Sequence, residues 1–174
     1  MRVVVQVFLI RHPRPFLDLG ICYGRLDIQA EDPQPVAARL KPLLPEGTTF
    51  FSSPLQRARL LAEALDPETR IDARLSEMDF GEWEGQPWDA IDRDALDAWA
   101  ADTLHYTPPG GESVAGLQHR AIDFVTALRG SPIALVTHCG VIRALLGHWR
   151  QLPVDEWTSL QIDFGSMLEI EIDQ

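Results

Sequence analysis

The chain has 174 residues, 45% hydrophobic and 24% charged, and this ordinary globular composition argues against intrinsic disorder and fibrous architecture. A formal net charge of −11 argues against nucleic acid as a partner, because phosphate backbones are bound by dense Lys and Arg side chains. Cys22 and Cys139 lie far apart without CxxC spacing, which indicates neither a disulfide framework nor a zinc site and favours reduced thiols in a cytoplasmic protein. The length fits a single domain spanning residues 1–174.

The first predicted element is a buried strand at residues 3–10, a run dominated by Val, Leu and Ile. This run is too short to span a bilayer, so no membrane partner is expected. A helix is predicted to begin near Asp32-Pro33, since Asp caps helices and Pro suits the first helical turn, and Pro42 ends or kinks it. A second strand is predicted at residues 48–52.

Ser53-Pro54 carries a similar helix-start signature, and residues 55–65 favour a helix with Arg57 in its first turn. The clearest amphipathic pattern predicts a helix that is capped by Ser113 and continues to about residue 129.

The last part of the chain predicts a third strand at residues 133–137 and a helix at residues 141–149. Alternation of β-branched runs with helical stretches indicates an α/β fold. Residues 159–172, around Gly165, alternate polar and apolar side chains and predict a closing hairpin or paired edge strands.

Three predicted strands are followed closely by residues able to bind or attack an anion. His12 follows the first strand, Arg57 lies just after the second, and His138 follows the third. In open parallel sheets ligands bind at the carboxyl ends of the strands, so these side chains are expected at one edge. Taken alone, each histidine fits a hydrogen-bonded structural role better than a nucleophile.

Five segments, in this order, carry a more specific signal. They are Leu9-Ile10-Arg11-His12-Pro13, Ser52-Ser53-Pro54-Leu55-Gln56-Arg57-Ala58, residues 75–85 with Ser76-Glu77-Met78, Pro109-Gly110-Gly111-Glu112-Ser113, and Thr137-His138-Cys139-Gly140-Val141-Ile142-Arg143. Together they resemble the histidine phosphatase superfamily, which implies a phosphoglycerate-mutase-like three-layer sandwich, with a mostly parallel central sheet and helices on both faces. The segment Cys22-Tyr23-Gly24-Arg25-Leu26-Asp27 is most similar to the α-ribazole phosphatases.

The resemblance implies a role for each matching residue. His12 is the expected nucleophile, which forms a phosphohistidine that water then hydrolyses. Arg11 and Arg57 are expected to hold the phosphoryl oxygens, His138 to add a hydrogen-bond donor, and Glu77 to protonate the leaving alkoxide. No cofactor and no metal are expected, because the arginines supply the compensating charge.

The implied function is a phosphomonoesterase that acts on a small phosphorylated metabolite, with α-ribazole 5′-phosphate of cobalamin biosynthesis as the most specific candidate. A broader sugar-phosphate or phosphoprotein phosphatase is an alternative. A second alternative is a non-catalytic sensor that binds a phosphate ligand. The oligomeric state stays open.

The pattern departs from the superfamily at Pro13 and Pro15, which stand where Gly and Thr are expected; Pro13 removes a backbone N–H from the phosphate loop, and Arg14 offers a compensating charge. The helix after His138 is expected to point free N–H groups at the phosphate.

Several further residues carry weaker expectations. Asp79, Glu82 and Glu84 are expected to form a solvated acidic stretch. Packing or a position at the pocket rim is as consistent with Tyr23, Arg25 and Trp83 as substrate contact is. Surface or core positions, and not metal ligation, are expected for His105, His119 and His148.

Overall fold

The computed structural model describes residues 4–130 and 132–173. The strands are β1 (Val4–Arg11), β2 (Thr49–Ser52), β3 (Arg70–Ile71), β4 (Ile133–Thr137) and β5 (Met167–Asp173). The helices are α1 (Gln34–Leu40), α2 (Gln56–Leu65), α3 (Arg93–Ala101), α4 (Val114–Ala127), α5 (Cys139–Trp149) and α6 (Val154–Thr158). Short 3₁₀ turns lie at Lys41–Leu43, Ala73–Leu75, Gly81–Trp83 and Trp88–Ala90.

The described strands form one sheet in the order β3-β2-β4-β1-β5, in which β5 alone is antiparallel to its neighbour. All five residues of β4 are buried, as expected for a central parallel strand covered on both faces. The three strands that the β-branched runs predict are therefore confirmed within one or two residues, and with them the α/β class.

Helices cover both faces of this sheet. Alternate residues of β1 divide between two apolar cores, with Val7 and Leu9 on one face and Phe8 and Ile10 on the other. Helices α4 and α5 pack on the first face, whereas α1 and α2 pack on the second. The predicted three-layer sandwich is confirmed.

The helix boundaries differ in part from the prediction. Ser113 caps α4, and its Oγ accepts the Gly116 N–H at 3.1 Å. Ser53 is not a helix cap: α2 begins at Gln56, and Ser53 Oγ accepts the Leu55 N–H ahead of the helix at 3.2 Å. Pro42 lies in the 3₁₀ turn into which α1 tightens.

The C-terminal tail contains one strand and no hairpin among its described residues. Residues 159–166 lead from α6 to β5, which pairs with β1 as an antiparallel edge strand. In the part of the chain that the structure describes, no helix is long and apolar enough to cross a membrane.

Candidate active site

Parallel pairing of β1 with β4 brings the two expected histidines together. Arg11 is opposite Thr137 in the strand register, so His12 and His138 each follow the last paired residue of neighbouring strands. The His12 backbone N–H donates to the Thr137 carbonyl oxygen at 3.2 Å. The centroids of the two imidazole rings are 5.0 Å apart.

His12 is 2% exposed and lines a cavity of about 430 Å³. Its Nδ1 lies 2.6 Å from the Pro13 carbonyl oxygen. Because a carbonyl oxygen can only accept, Nδ1 carries the proton and Nε2 keeps its lone pair. Burial, with the charges of Arg57 and Arg11 adding to it and the Pro13 bond opposing it, lowers the pKa of His12 from 6.5 to about 3. At neutral pH this imidazole is uncharged and carries an available lone pair.

Pro13, which stands where the superfamily has Gly, still provides the backbone carbonyl oxygen that binds His12. Proline lacks the backbone N–H but retains the carbonyl oxygen, and that oxygen orients the ring. Arg14 is exposed, with Cζ 5.2 Å from the Phe164 ring centroid, and it does not line the cavity. The position of Arg14 therefore does not support the expectation that its charge compensates for the N–H lost at Pro13.

The two expected phosphate-binding arginines lie at different depths. Arg11 lines the cavity, where its Nη1 donates to the Ile162 carbonyl oxygen and its Cζ lies 3.7 Å from the Phe164 ring centroid. Arg57 is 1% exposed and lies behind Tyr23, with Cζ 5.5 Å from that ring centroid. Arg57 thus lies beneath the cavity wall.

Glu77 lines the same cavity and is half-buried. Its Oε1 accepts the Met78 N–H at 2.9 Å, and its Oε2 accepts the Gly140 N–H at 3.1 Å. The Gly140 N–H, at the start of α5, is thus bound by a carboxylate and is not free for phosphate. This bond also fixes the position of Glu77 relative to α5.

His138 is fully buried, and its Nε2 lies 2.7 Å from Ser53 Oγ. Burial, together with the nearby His12 and Arg57, lowers the pKa of His138 well below its ordinary value. The ring is therefore neutral at physiological pH and contributes a hydrogen-bond donor or acceptor without charge. Sequence reasoning treated Ser53 only as a helix-start residue and missed this contact.

Four buried side-chain nitrogen atoms of the described residues have no hydrogen-bond partner, and two of them belong to residues that line this cavity. Among the described residues they are Arg11 Nε, Arg57 Nε, His138 Nδ1 and Trp99 Nε1. Such atoms are few in native proteins and costly unless a ligand or water satisfies them. Three of the four atoms belong to residues that are expected to bind phosphate. A bound anion could accept hydrogen bonds from such unpartnered N–H groups.

Cys139, next to His138, also lines the cavity. Burial raises the pKa of its thiol above the usual value, so the sulfur is protonated at neutral pH. The thiolate is the nucleophilic form of cysteine, which leaves His12 as the better nucleophile at this site.

An ion pair holds the segment that carries Glu77. Arg120 Nη2 donates to Glu112 Oε1 at 2.6 Å and to the Glu77 carbonyl oxygen at 3.0 Å. Arg25 Nε donates to the same carbonyl oxygen at 2.9 Å. Arg25 therefore acts on the site through the backbone, and Glu112 holds the Arg120 guanidinium that binds the same carbonyl oxygen.

Glu84 was expected to be solvated, and that expectation is wrong. Its Oε1 accepts the backbone N–H groups of Arg25 and Phe80 at 2.8 and 3.1 Å. Its Oε2 accepts those of Gly24 and Leu26 at 3.0 and 2.9 Å. The carbonyl oxygens of Gly24 and Leu26 in turn accept Arg57 Nη2 and Nη1 at 2.5 and 2.7 Å. A sequence pattern does not reveal a contact between residues about sixty positions apart.

The structure also locates the residues for which the sequence allowed more than one role. Tyr23 lines the cavity, whereas Trp83 is 5% exposed and stacks on Tyr106 with centroids 5.8 Å apart. His105 and His119 are exposed and pair with nearby Asp side chains. Within the described part of the chain, no three His, Cys, Asp or Glu side chains are placed to hold a metal ion.

The family model of the histidine phosphatase superfamily (branch 1) matches residues 7–174. The chain belongs to this superfamily. Two relatives of this histidine phosphatase are glucosyl-3-phosphoglycerate phosphatases. The one from Mycobacterium tuberculosis is 32% identical, with 89% of this chain and 79% of that protein covered. The one from Mycolicibacterium vanbaalenii is 33% identical, with 90% and 79% covered.

Solved structures agree with the fold. The native structure of mycobacterial glucosyl-3-phosphoglycerate phosphatase superposes with a TM-score of 0.83 at 27% identity, covering 97% of this chain and 91% of that one. A crystal structure of a protein from Thermus thermophilus gives 0.77 at 31% identity, covering 95% and 93%. The predicted superfamily is confirmed, and the chain is a phosphatase of small phosphate esters.

Proposed function

We propose that this histidine phosphatase hydrolyses its ester in two steps through a phosphohistidine on His12. The observation that supports this most is the hydrogen bond from His12 Nδ1 to the Pro13 carbonyl oxygen, which leaves the Nε2 lone pair free on a neutral ring. The same ring lines a cavity beside Arg11 and Glu77.

In the first step Nε2 of His12 attacks phosphorus, and the bond between phosphorus and the ester oxygen breaks. Glu77, in its protonated form, donates its proton to the departing alkoxide, so the alcohol leaves neutral. Arg11 and Arg57 stabilise the negative charge on the transferring phosphoryl group, and His138 adds an uncharged hydrogen bond.

In the second step water attacks the phosphohistidine. The Glu77 carboxylate takes a proton from the water, and the electron pair of the N–P bond returns to Nε2. Inorganic phosphate leaves, and the enzyme regains its starting protonation state. The sum is ester plus water giving alcohol plus phosphate.

Two substrates are candidates. α-Ribazole 5′-phosphate is supported by the Cys22-Tyr23-Gly24-Arg25-Leu26-Asp27 match and by the apolar and aromatic residues among those that line the cavity. Glucosyl-3-phosphoglycerate is supported by the relatives that carry its name and by Arg143, a lining cation able to pair with a carboxylate.

The test is phosphate release from a panel that contains both candidates, glycerol 3-phosphate and a phosphopeptide, together with rapid acid or alkaline quenching after a ³²P-labelled substrate is added. Wild type should show turnover and an acid-labile, alkali-stable label. His12→Ala should show neither, because it lacks the attacking nitrogen.

His105→Ala is the matched control, since His105 is exposed and does not line the cavity. It should retain both turnover and label. A label that persists in His12→Ala would place the intermediate elsewhere. Binding of esters by wild type without any phosphate release would instead indicate a sensor.

A further inference from the structure

The side chains that line the cavity form two chemically different groups. His12, Arg11 and Glu77 form the reacting group, whereas Phe80, Trp88 and Trp99 contribute three aromatic rings, which we call the aromatic wall. All three rings are half-buried, and each has a surface that lines the cavity. Contact between water and the ring surfaces that line the cavity is unfavourable. These surfaces therefore form a binding surface for an apolar group.

The wall has a defined geometry. The Trp88 and Trp99 rings are stacked almost parallel, with an interplanar angle of 4° and centroids 5.7 Å apart. Phe80 meets both edge-on, at 90° and 89°, with centroid distances of 5.6 and 6.0 Å. These are the preferred arrangements of aromatic pairs, so the wall forms a pre-organised corner.

A buried ring supports the wall from behind. Trp83, 5% exposed, has its centroid 5.9 Å from Trp99 and 6.5 Å from Trp88. Helix α3 has no buried residue, yet it contributes Trp99 to this cluster. The side chains of the wall are thus fixed by ring packing, which lowers the entropy that a ligand loses on binding.

The wall adds no charge to the cavity. The charged side chains of the lining are Arg11, Glu77 and Arg143, and none of them belongs to the aromatic cluster. The faces of these rings offer no hydrogen-bonding atoms, so a charged leaving group placed against them would lose hydration without gaining an ion pair. A flat apolar ring would instead bury its faces against matching surfaces.

On this basis we propose that Phe80, Trp88 and Trp99 form the leaving-group subsite, and that the enzyme selects phosphate esters whose alcohol carries a flat, apolar ring system. This inference rests on the proposed function, since it assumes that the phosphoryl group lies at His12.

The experiment compares two esters of primary alcohols, 2-(1-naphthyl)ethyl phosphate and glycerol 3-phosphate. Wild type should show a kcat/KM ratio of at least tenfold in favour of the naphthyl ester, chiefly through KM. Trp88→Leu and Trp99→Leu should each lower that ratio at least fivefold. Trp88→Phe keeps an aromatic ring and should recover most of it.

Trp149→Leu is the control for removal of a tryptophan as such, because Trp149 packs against the main core and does not line the cavity. Its ratio should equal that of wild type. A wild-type ratio near one would overturn the proposal. A preference for phosphoserine over the naphthyl ester that disappears in Arg143→Gln would also overturn the proposal. It would show that the enzyme recognises the carboxylate of its substrate.

Failure of catalysis is separable from failure of the subsite. Binding of both esters to His12→Ala by calorimetry measures the preference without turnover. At least tenfold tighter binding of the naphthyl ester supports the subsite even if no ester is hydrolysed. Equal or undetectable binding contradicts it even if His12 catalysis is established.

Discussion

Burial of His12 makes its protonation costly in the folded protein and not in the unfolded chain. Its pKa is about 3 in the fold and 6.5 in the unfolded reference, so between these pH values the unfolded chain binds a proton that the folded protein lacks. The free energy of unfolding should therefore decrease as pH falls from about 6.5 towards 3, and His138 should act in the same direction.

Urea unfolding at pH 7 and pH 4 tests this linkage. The loss of stability on acidification should be smaller in His12→Asn than in wild type, because Asn does not titrate. Carboxylate titration is common to both proteins and cancels in the comparison. Equal losses would show that His12 is readily protonated in the fold.

Gly140 is a second residue whose identity matters, since a Cβ placed there would collide with Glu77 Oε1. Gly140→Ala should displace the carboxylate and lower kcat/KM by about a hundredfold, the typical effect of a small misplacement of a catalytic group. Thermal unfolding should change much less than activity.

Gly116→Ala is the matched control, because Gly116 also lies within a helix and a Cβ there meets no atom closer than 3.5 Å. It should leave activity unchanged and add roughly 0.5–1 kcal/mol of stability through helix propensity. Unchanged activity in Gly140→Ala would separate Glu77 from the chemistry.

Among the elements, the loop at Gly24–Leu26 depends on one carboxylate from a distant turn. Glu84 accepts four backbone N–H groups, two of them from the loop residues whose carbonyl oxygens hold Arg57. Glu84→Gln replaces one acceptor oxygen with an NH₂ group that faces donors, at a cost of about 1–3 kcal/mol for each bond lost. The melting temperature should fall, and the inhibition constant of inorganic phosphate should rise about tenfold as Arg57 loses its support.

Glu82→Gln provides the comparison, because Glu82 is exposed two positions away. Both its melting temperature and its phosphate inhibition should match wild type. Loss of stability in Glu84→Gln with normal phosphate inhibition would limit Glu84 to a structural role.

Elements with buried faces were predictable, and those without them were not. Strand β4 and helix α4 bury continuous or periodic apolar residues, which the sequence displays directly. Helix α3 has no buried residue and α6 has five residues, so neither gives a clear apolar stripe. The aromatic wall depends on α3 and therefore could not be located from the sequence.

Across the whole molecule, sheet topology explains how much of the candidate site was predictable. The rule that ligands bind at the carboxyl ends of parallel strands placed His12 and His138 at one edge. The depth of Arg57 beneath Tyr23 and the Ser53 contact to His138 depend on side-chain packing between distant segments. That residues 1–174 form a single domain stays a prediction.

The distribution of charge over the molecule leads to the last prediction. The chain carries a net charge of −11, yet a bound phosphoryl group needs local positive charge, which Arg11 and Arg57 supply beside His12. Within the described residues no cluster of acidic, His or Cys side chains is placed to hold a metal ion that would do the same. Activity should therefore be unchanged by EDTA and by added Mg²⁺, whereas Arg57→Gln should lower kcat/KM by about 10²–10³. Activity that EDTA abolishes and Mg²⁺ restores would mean that the arginines alone do not stabilise the transferring group.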